Sequence, residues 1–234
     1  MPEQRRSIEK IIEAQVFKWQ MLREKREEEL EAEHVAELPV AISRLPGCFS
    51  REIARVIAER KMFDLLDKEI MEKVAETSNL NAALLGTLDE KTLSWYDEVI
   101  AAVATPNLEE FFRYLSKVLL AFAHNGNAVI LGRGASFLIP HDKCLRVLLA
   151  APLEARIANT ERKYKLSPED AKRRILQVDS ERRAYVRKYF HSEFLDPLCF
   201  DIVINTAEVG VPGAVEAILA AWADKSARQK AKEK

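Results

Sequence analysis

The stretch "SRLPGCFSRE", Ser43 to Glu52, joins a short apolar run to a helical pattern through a Pro-Gly turn. Gly47 permits close backbone approach, and the N–H groups of Cys48, Phe49, Ser50 and Arg51 would open the following helix toward an anion. Arg44 and Arg51 flank the turn with positive charge. That is the placement of a phosphate-binding loop. An intact loop of this kind reads GxxxxGK[ST], with a lysine for the outer phosphates and a hydroxyl for magnesium. Here there is one glycine and no lysine. On these residues a rewired nucleotide site and a plain strand-to-helix turn are both open. Cys48, at a helix start, is either a thiol of lowered pKa or a loop filler.

Three further places carry charge where a ligand could meet it. In "VILGRGASF" an apolar run ends in Gly132-Arg133-Gly134, two glycines that leave a guanidinium with little steric cover, suited to an anion or simply a solvated turn. Residues 154–190 hold eleven Lys and Arg against six Asp and Glu, in a chain of net charge −1. A local excess of that size favours a polyanion, or lines a solvated face. Within it Asp179 and Arg182, three apart, would share a helix face. Tyr185, Tyr189 and Phe190 are core residues or a platform for a base. In "FDLLDKEIMEK" Asp67 follows an apolar pair and reads as a helix N-cap or a substrate contact.

The elements that would hold these residues follow from the apolar pattern. "LPVAIS" (38–43), "NAVILG" (127–132), "LRVLLA" (145–150) and "DIVIN" (201–205) are continuous apolar runs without alternation, as in strands buried on both faces of a parallel sheet. Helical patterns lie at 50–60, 67–77, 107–124, 152–164, 167–190 and 211–223. Ser167-Pro168-Glu169-Asp170 is a start signal, and Asn79 and Asn107 are candidate caps. Strands alternating with helices give an α/β fold, doubly wound. Segment 78–106, broken by Gly86, Thr87 and Pro106, reads as a small helical insertion over the sheet edge.

Residues 1–37 differ. Ile8, Ile12, Val16 and Trp19 form one apolar stripe at helical spacing, with Ile11 and Leu22 beside it, and charge takes over from Glu24. Such a helix packs on its own domain, on a partner helix or homodimer seam, or on a lipid surface. The tail "KSARQKAKEK" (225–234) reads as basic and disordered.

Composition sets the outer limits. The 234 residues are 48% apolar and 31% charged, enough for one domain with an appendage. Three scattered cysteines without a CxxC pair fit a reducing, cytoplasmic setting. No signal peptide and no apolar run of membrane-spanning length is read. His34, His124, His141 and His191 have no ligand spacing, so no metal site is expected. No nucleic-acid-binding motif accompanies the basic segment.

Taken in order, "ISRLPGCFSREIARVIAE", "FDLLDKEIMEKVAE", "VILGRGASF", "LRVLLAAPLEARI", "VDSERRAYVRKYF" and "FDIVINTAEVGVPGAVEAIL" resemble the cytidylate kinase-like family of P-loop kinases. The likeness covers about residues 38–222. It implies a three-layer fold with a five-stranded parallel sheet, over residues 38–224, and a helical lid at about 165–192. It implies phosphoryl transfer from Mg-ATP to a nucleotide such as CMP or another small phosphate-bearing acceptor. In that pattern the loop Ser43, Gly47, Cys48, Phe49 and Ser50 would hold the donor, with Arg44 or Arg51 in place of the lysine. Asp67, Gly132, Arg133, Gly134 and Asp179 would face the acceptor, and Arg182, Arg183 and Lys188 would act from the lid. Two departures stand out. Ser50 occupies the lysine position, and Gly134 replaces the acid of Gly-Arg-Asp. They keep a second reading open, a non-catalytic nucleotide-binding or scaffold protein acting through its N-terminal helix.

Overall fold

The computed structural model describes residues 36–69, 90–103 and 110–232, and Phe17. Among these, five strands form one parallel sheet: β1 (Val40–Arg44), β2 (Asp64–Leu66), β3 (Ala128–Leu131), β4 (Leu145–Ala150) and β5 (Ile202–Asn205), in the spatial order β2-β3-β1-β4-β5. Val40 pairs with Val129 on one side and with Leu145 on the other. Val40, Ala41 and Ile42 are each at most 1% exposed, because helices cover both faces of a central parallel strand.

The helices are α1 (Ser50–Lys61), α2 (Glu90–Val103), α3 (Glu110–Asn125), α4 (Ala135–Leu138), α5 (Leu153–Tyr164), α6 (Pro168–Phe190) and α7 (Thr206–Lys232). Helix α7 packs on α1, β4 and β5, while α2, α3 and α4 pack among themselves with α4 against β1. Tyr96 of α2 is fully buried and its hydroxyl donates to the Leu120 carbonyl of α3 at 3.0 Å, so one residue supplies both apolar area and a satisfied polar end. At α6 the Ser167 hydroxyl accepts from the Asp170 N–H at 3.1 Å, the cap that the Ser-Pro-Glu-Asp signal predicts.

Two elements differ from the sequence reading. Strand β2 is three residues long and opens on Asp64, too short and too polar to stand out as an apolar run. Within the segment read as a small helical insertion, residues 90–103 form one helix, with Gly86 and Pro106 on either side of it in the sequence. Helix α7 runs on through Lys232, kinked at Gly210, where a disordered tail is expected. Its tail is made of good helix formers, and Asp224 pairs with Arg228 one turn on while Lys225 reaches Asp201 at 2.6 Å. The expected helix 67–77 beyond residue 69, the caps Asn79 and Asn107, and the stripe of residues 8–22 lie outside the described residues.

The chain reverses direction across the sheet at β1, which has β3 on one side and β4 on the other. The crevice at the carboxyl ends of these strands is where open α/β sheets receive ligands. Arg44 ends β1, Gly132-Arg133-Gly134 follows β3, and α6 crosses above both.

Candidate functional site

The turn after β1 is fixed from α5. Gly47 has φ +85°, and a Cβ there would stand 2.7 Å from the Arg156 carbonyl oxygen, so only glycine fits. The Asn159 amide donates to the Gly47 carbonyl at 2.9 Å. Arg156 in turn pairs with Asp179 of α6 at 2.8 Å, both side chains 9% exposed. The turn, α5 and α6 are therefore tied into one unit.

Arg44 sits at the centre of the crevice. A Cβ on Gly132, at φ +90°, would stand 1.8 Å from Nη1 of Arg44, so the guanidinium lies against bare backbone. Among the described residues no carboxylate forms an ion pair with it. Its pKa falls to about 9, because burial disfavours the charge and because Arg182 and Arg133 repel it, with Asp67 a weaker attraction. Arg182 reaches in from α6 and donates to the Arg44 carbonyl. Its own pKa is lowered by burial. Arg133 stands in the left-handed region at φ 54°, and its carbonyl accepts from the Tyr185 hydroxyl at 3.4 Å. Three guanidiniums thus face one crevice, and Arg182 and Arg133 both raise the cost of the charge on Arg44. An anion there would relieve that repulsion, and a polyphosphate has the matching charge and oxygen count.

The remaining expected residues fall in three groups. Arg51, at the start of α1, is paired with Asp67, which also accepts from the Glu69 N–H at 3.1 Å. That bond raises the Arg51 pKa. Ser43 is buried and donates to Ser136 at 3.1 Å, which donates on to the Ala41 carbonyl, so its hydroxyl is engaged inside the fold. Cys48 is 1% exposed, and burial raises its thiol pKa against a smaller lowering from a Thr206 hydrogen bond. That direction is opposite to the lowered pKa a helix start would suggest. Phe49 is 39% exposed at φ 50°, directly before Ser50 opens α1. Arg183 and Lys188 are exposed on α6, and the Lys188 ammonium donates to the Tyr189 hydroxyl at 3.0 Å.

Asp179 faces Arg156 under the turn. Gly134 has φ +75°, and a Cβ there would stand 2.3 Å from the Phe190 ring. An acid at position 134 has no room. Phe190 belongs to an aromatic cluster with Phe112, Phe137 and Tyr185, and Phe112 stacks on Tyr189 at 4.2 Å. This cluster clamps α6 to α3 and α4. Arg156 and Asn159 escape the sequence reading as turn anchors. Their signal was two polar positions three apart on a helix that follows a buried strand.

For magnesium the donor set is poor. Among the described residues no group of three or more His, Cys, Asp or Glu could hold a metal ion, and Asp67 is engaged by Arg51. A resident metal does not fit these residues, whereas a metal carried by phosphate oxygens requires few protein ligands. Among the same residues no helix is long and apolar enough to cross a membrane.

Residues 39–208 match the cytidylate kinase-like family. A cytidylate kinase from Ignicoccus hospitalis is 30% identical over 104 residues, which is 44% of this chain and 60% of that enzyme. The crystal structure of an uncharacterized protein from Eubacterium ventriosum superposes with a TM-score of 0.64 at 19% identity, over 80% of this chain and 99% of that one. A shikimate kinase from Bacteroides thetaiotaomicron reaches a TM-score of 0.44 at 13% identity, over 78% and 96%, too distant a likeness to bear on the site.

Proposed function

The chain belongs to the cytidylate kinase-like family, and on that footing we propose that it moves a phosphoryl group from ATP to a nucleotide or another small phosphate-bearing acceptor. The observation that carries this reading is the convergence of Arg44, Arg133 and Arg182 on one crevice at the strand ends, with no ion-pair carboxylate on Arg44 among the described residues. Phosphoryl transfer needs little covalent help from the protein. It needs the two phosphates held in line and the charge on the moving group neutralised.

In this reading Arg44 takes the charge role of the missing lysine, because Arg51 is spent on Asp67. The N–H groups at the start of α1 meet the donor phosphates. Arg133 grips the acceptor phosphate, and Arg182 closes from α6. A guanidinium spreads its charge over a planar fork, so Arg44 contacts two oxygens where a lysine would contact one point. Magnesium, when bound to the donor, adds Lewis-acid charge neutralisation. Burial of the site by α6 keeps water from competing with the acceptor. CMP is the first acceptor to try, although Gly134 lacks the acid of the Gly-Arg-Asp pattern.

A second reading has its own observation. Phe49 places an exposed ring at a left-handed position where a phosphate would approach the backbone. That supports a protein that binds a nucleotide without turning it over. An ADP-release assay with Mg-ATP and a panel of monophosphate acceptors separates the two. Transfer predicts acceptor-dependent ADP that falls at least tenfold in Arg44→Ala and in Arg133→Ala. Turnover unchanged by both variants contradicts it, and nucleotide binding without turnover favours the second reading.

A further inference from the structure

At the opposite pole of the sheet, beneath the amino ends of β1, β3 and β4, lies a cavity of about 830 Å³. Leu38, Trp95, Val99, Leu120, Ile139 and Trp222 supply its apolar lining. Trp95, Val99 and Trp222 are only half-buried, so the cavity opens outward. The phosphate chemistry at the other pole makes no use of it.

The chain enters the fold at the rim of this cavity. Ala36, Glu37, Leu38 and Pro39 are all lining residues. The entry point is pinned from several sides. The Glu37 N–H donates to Asn127 at 3.0 Å, Trp222 donates to the Leu38 carbonyl at 2.7 Å, and Lys61 both pairs with Glu37 at 2.9 Å and lies 3.6 Å over the Trp222 ring. The 35 residues before Ala36 therefore start from a fixed point on the cavity's edge. Those residues carry the apolar stripe Ile8, Ile12, Val16 and Trp19. Helical spacing puts Phe17 on the opposite face, about 100° per residue around the axis. Phe17 is helical and 62% exposed, as a residue turned away from a docked stripe should be.

We infer that the stripe of residues 8–22 docks in this cavity of its own chain. Reach permits it. Residues 23–35 span about 20 Å as a helix or about 40 Å extended, enough to turn back over a cavity that begins at residue 36. Charge favours it. The connector is acidic at Glu27, Glu28, Glu29, Glu31 and Glu33, and the end of α7 beside the cavity is basic at Arg228, Lys230 and Lys232. A tether this short holds the stripe at an effective concentration of the order of millimolar, which favours the same chain over a second copy. The family match begins at residue 39, so the device is an addition to the kinase-like domain.

The test is amide hydrogen exchange on the full chain against the variant Ile12→Asp/Val16→Asp, with sedimentation velocity over a dilution series. The substitutions lie outside the domain, so its folding is not at stake. Docking within one chain predicts exchange at residues 92–99 and 222–230 about tenfold faster or more in the variant, with a monomeric wild type whose protection does not change on dilution. Unchanged exchange in the variant overturns the inference. Protection lost as a dimer dissociates overturns it as well, and assigns the cavity to a second copy.

Discussion

Arg44 lies so close across the backbone of Gly132 that a methyl group at position 132 would stand 1.8 Å from its Nη1. The strand-end glycine therefore gives a charged side chain room to lie over the sheet. That side chain is charged, partly buried, without an ion-pair carboxylate among the described residues, and repelled by Arg182 and Arg133. Such an arrangement costs stability, and an anionic ligand is what would relieve it.

Replacing Arg44 with Met removes the repelled charge and keeps most of the side chain's volume. The ligand-free protein should become more stable, by about 2 °C or more in Tm, while affinity for Mg-ATP falls at least tenfold. Differential scanning fluorimetry with and without nucleotide reads both. A drop in ligand-free Tm would show that Arg44 holds the fold together.

The site's pH dependence follows from the same residue. In the free protein burial, with the neighbouring Arg182 and Arg133, lowers the Arg44 pKa to about 9, well below the ordinary arginine range. A bound polyanion favours the protonated form and raises that pKa again. Affinity should therefore be level from pH 7 to about 8.5 and weaken by up to about tenfold per unit above 9. In the ligand-free protein the sign is opposite, because the unfolded chain holds that proton more tightly and stability rises with pH above 9. Arg44→Met should show neither trend from this residue. Nucleotide titrations at several pH values on both proteins check this.

Asp179 and Arg156 are expected to be structural partners. Asp179→Asn keeps the shape and strands a buried guanidinium, so it should cost about 3–5 kcal/mol. The exposed pair of Arg51 and Asp67 should cost under about 1 kcal/mol in Arg51→Ala. Urea unfolding of the two variants gives the comparison, and equal effects would refute it.

Phe49 occupies a left-handed position before α1. Phe49→Gly relieves a backbone strain of about 1 kcal/mol and clears the approach to the helix N–H groups. Nucleotide affinity should rise without loss of stability. A weakened site would mean that the ring contacts the ligand.

Much of the fold is legible in the sequence because its strands are buried on both faces. "LRVLLA" is β4 residue for residue, since a continuous apolar run has one stable home between two helical layers. β2 leaves no such mark in three residues. Of the site, Arg44, Arg133 and Arg182 each stand out from the residues around them. Their convergence does not, nor does the Arg156–Asp179 pair across 23 positions. Such contacts depend on how α5 and α6 cross the strand ends, which no local periodicity encodes. In the sequence Gly134 is a departure from the Gly-Arg-Asp pattern that keeps the non-catalytic reading open. It is equally a consequence of the Phe190 ring occupying the acid's place.

The most direct measurement is calorimetric titration of the full chain with Mg-ATP, repeated on Arg44→Met. The arginine crevice predicts binding in the micromolar range, about −8 kcal/mol, reduced at least tenfold in the variant. A folded protein that gives no heat at several temperatures, or that binds equally well without Arg44, would contradict the account.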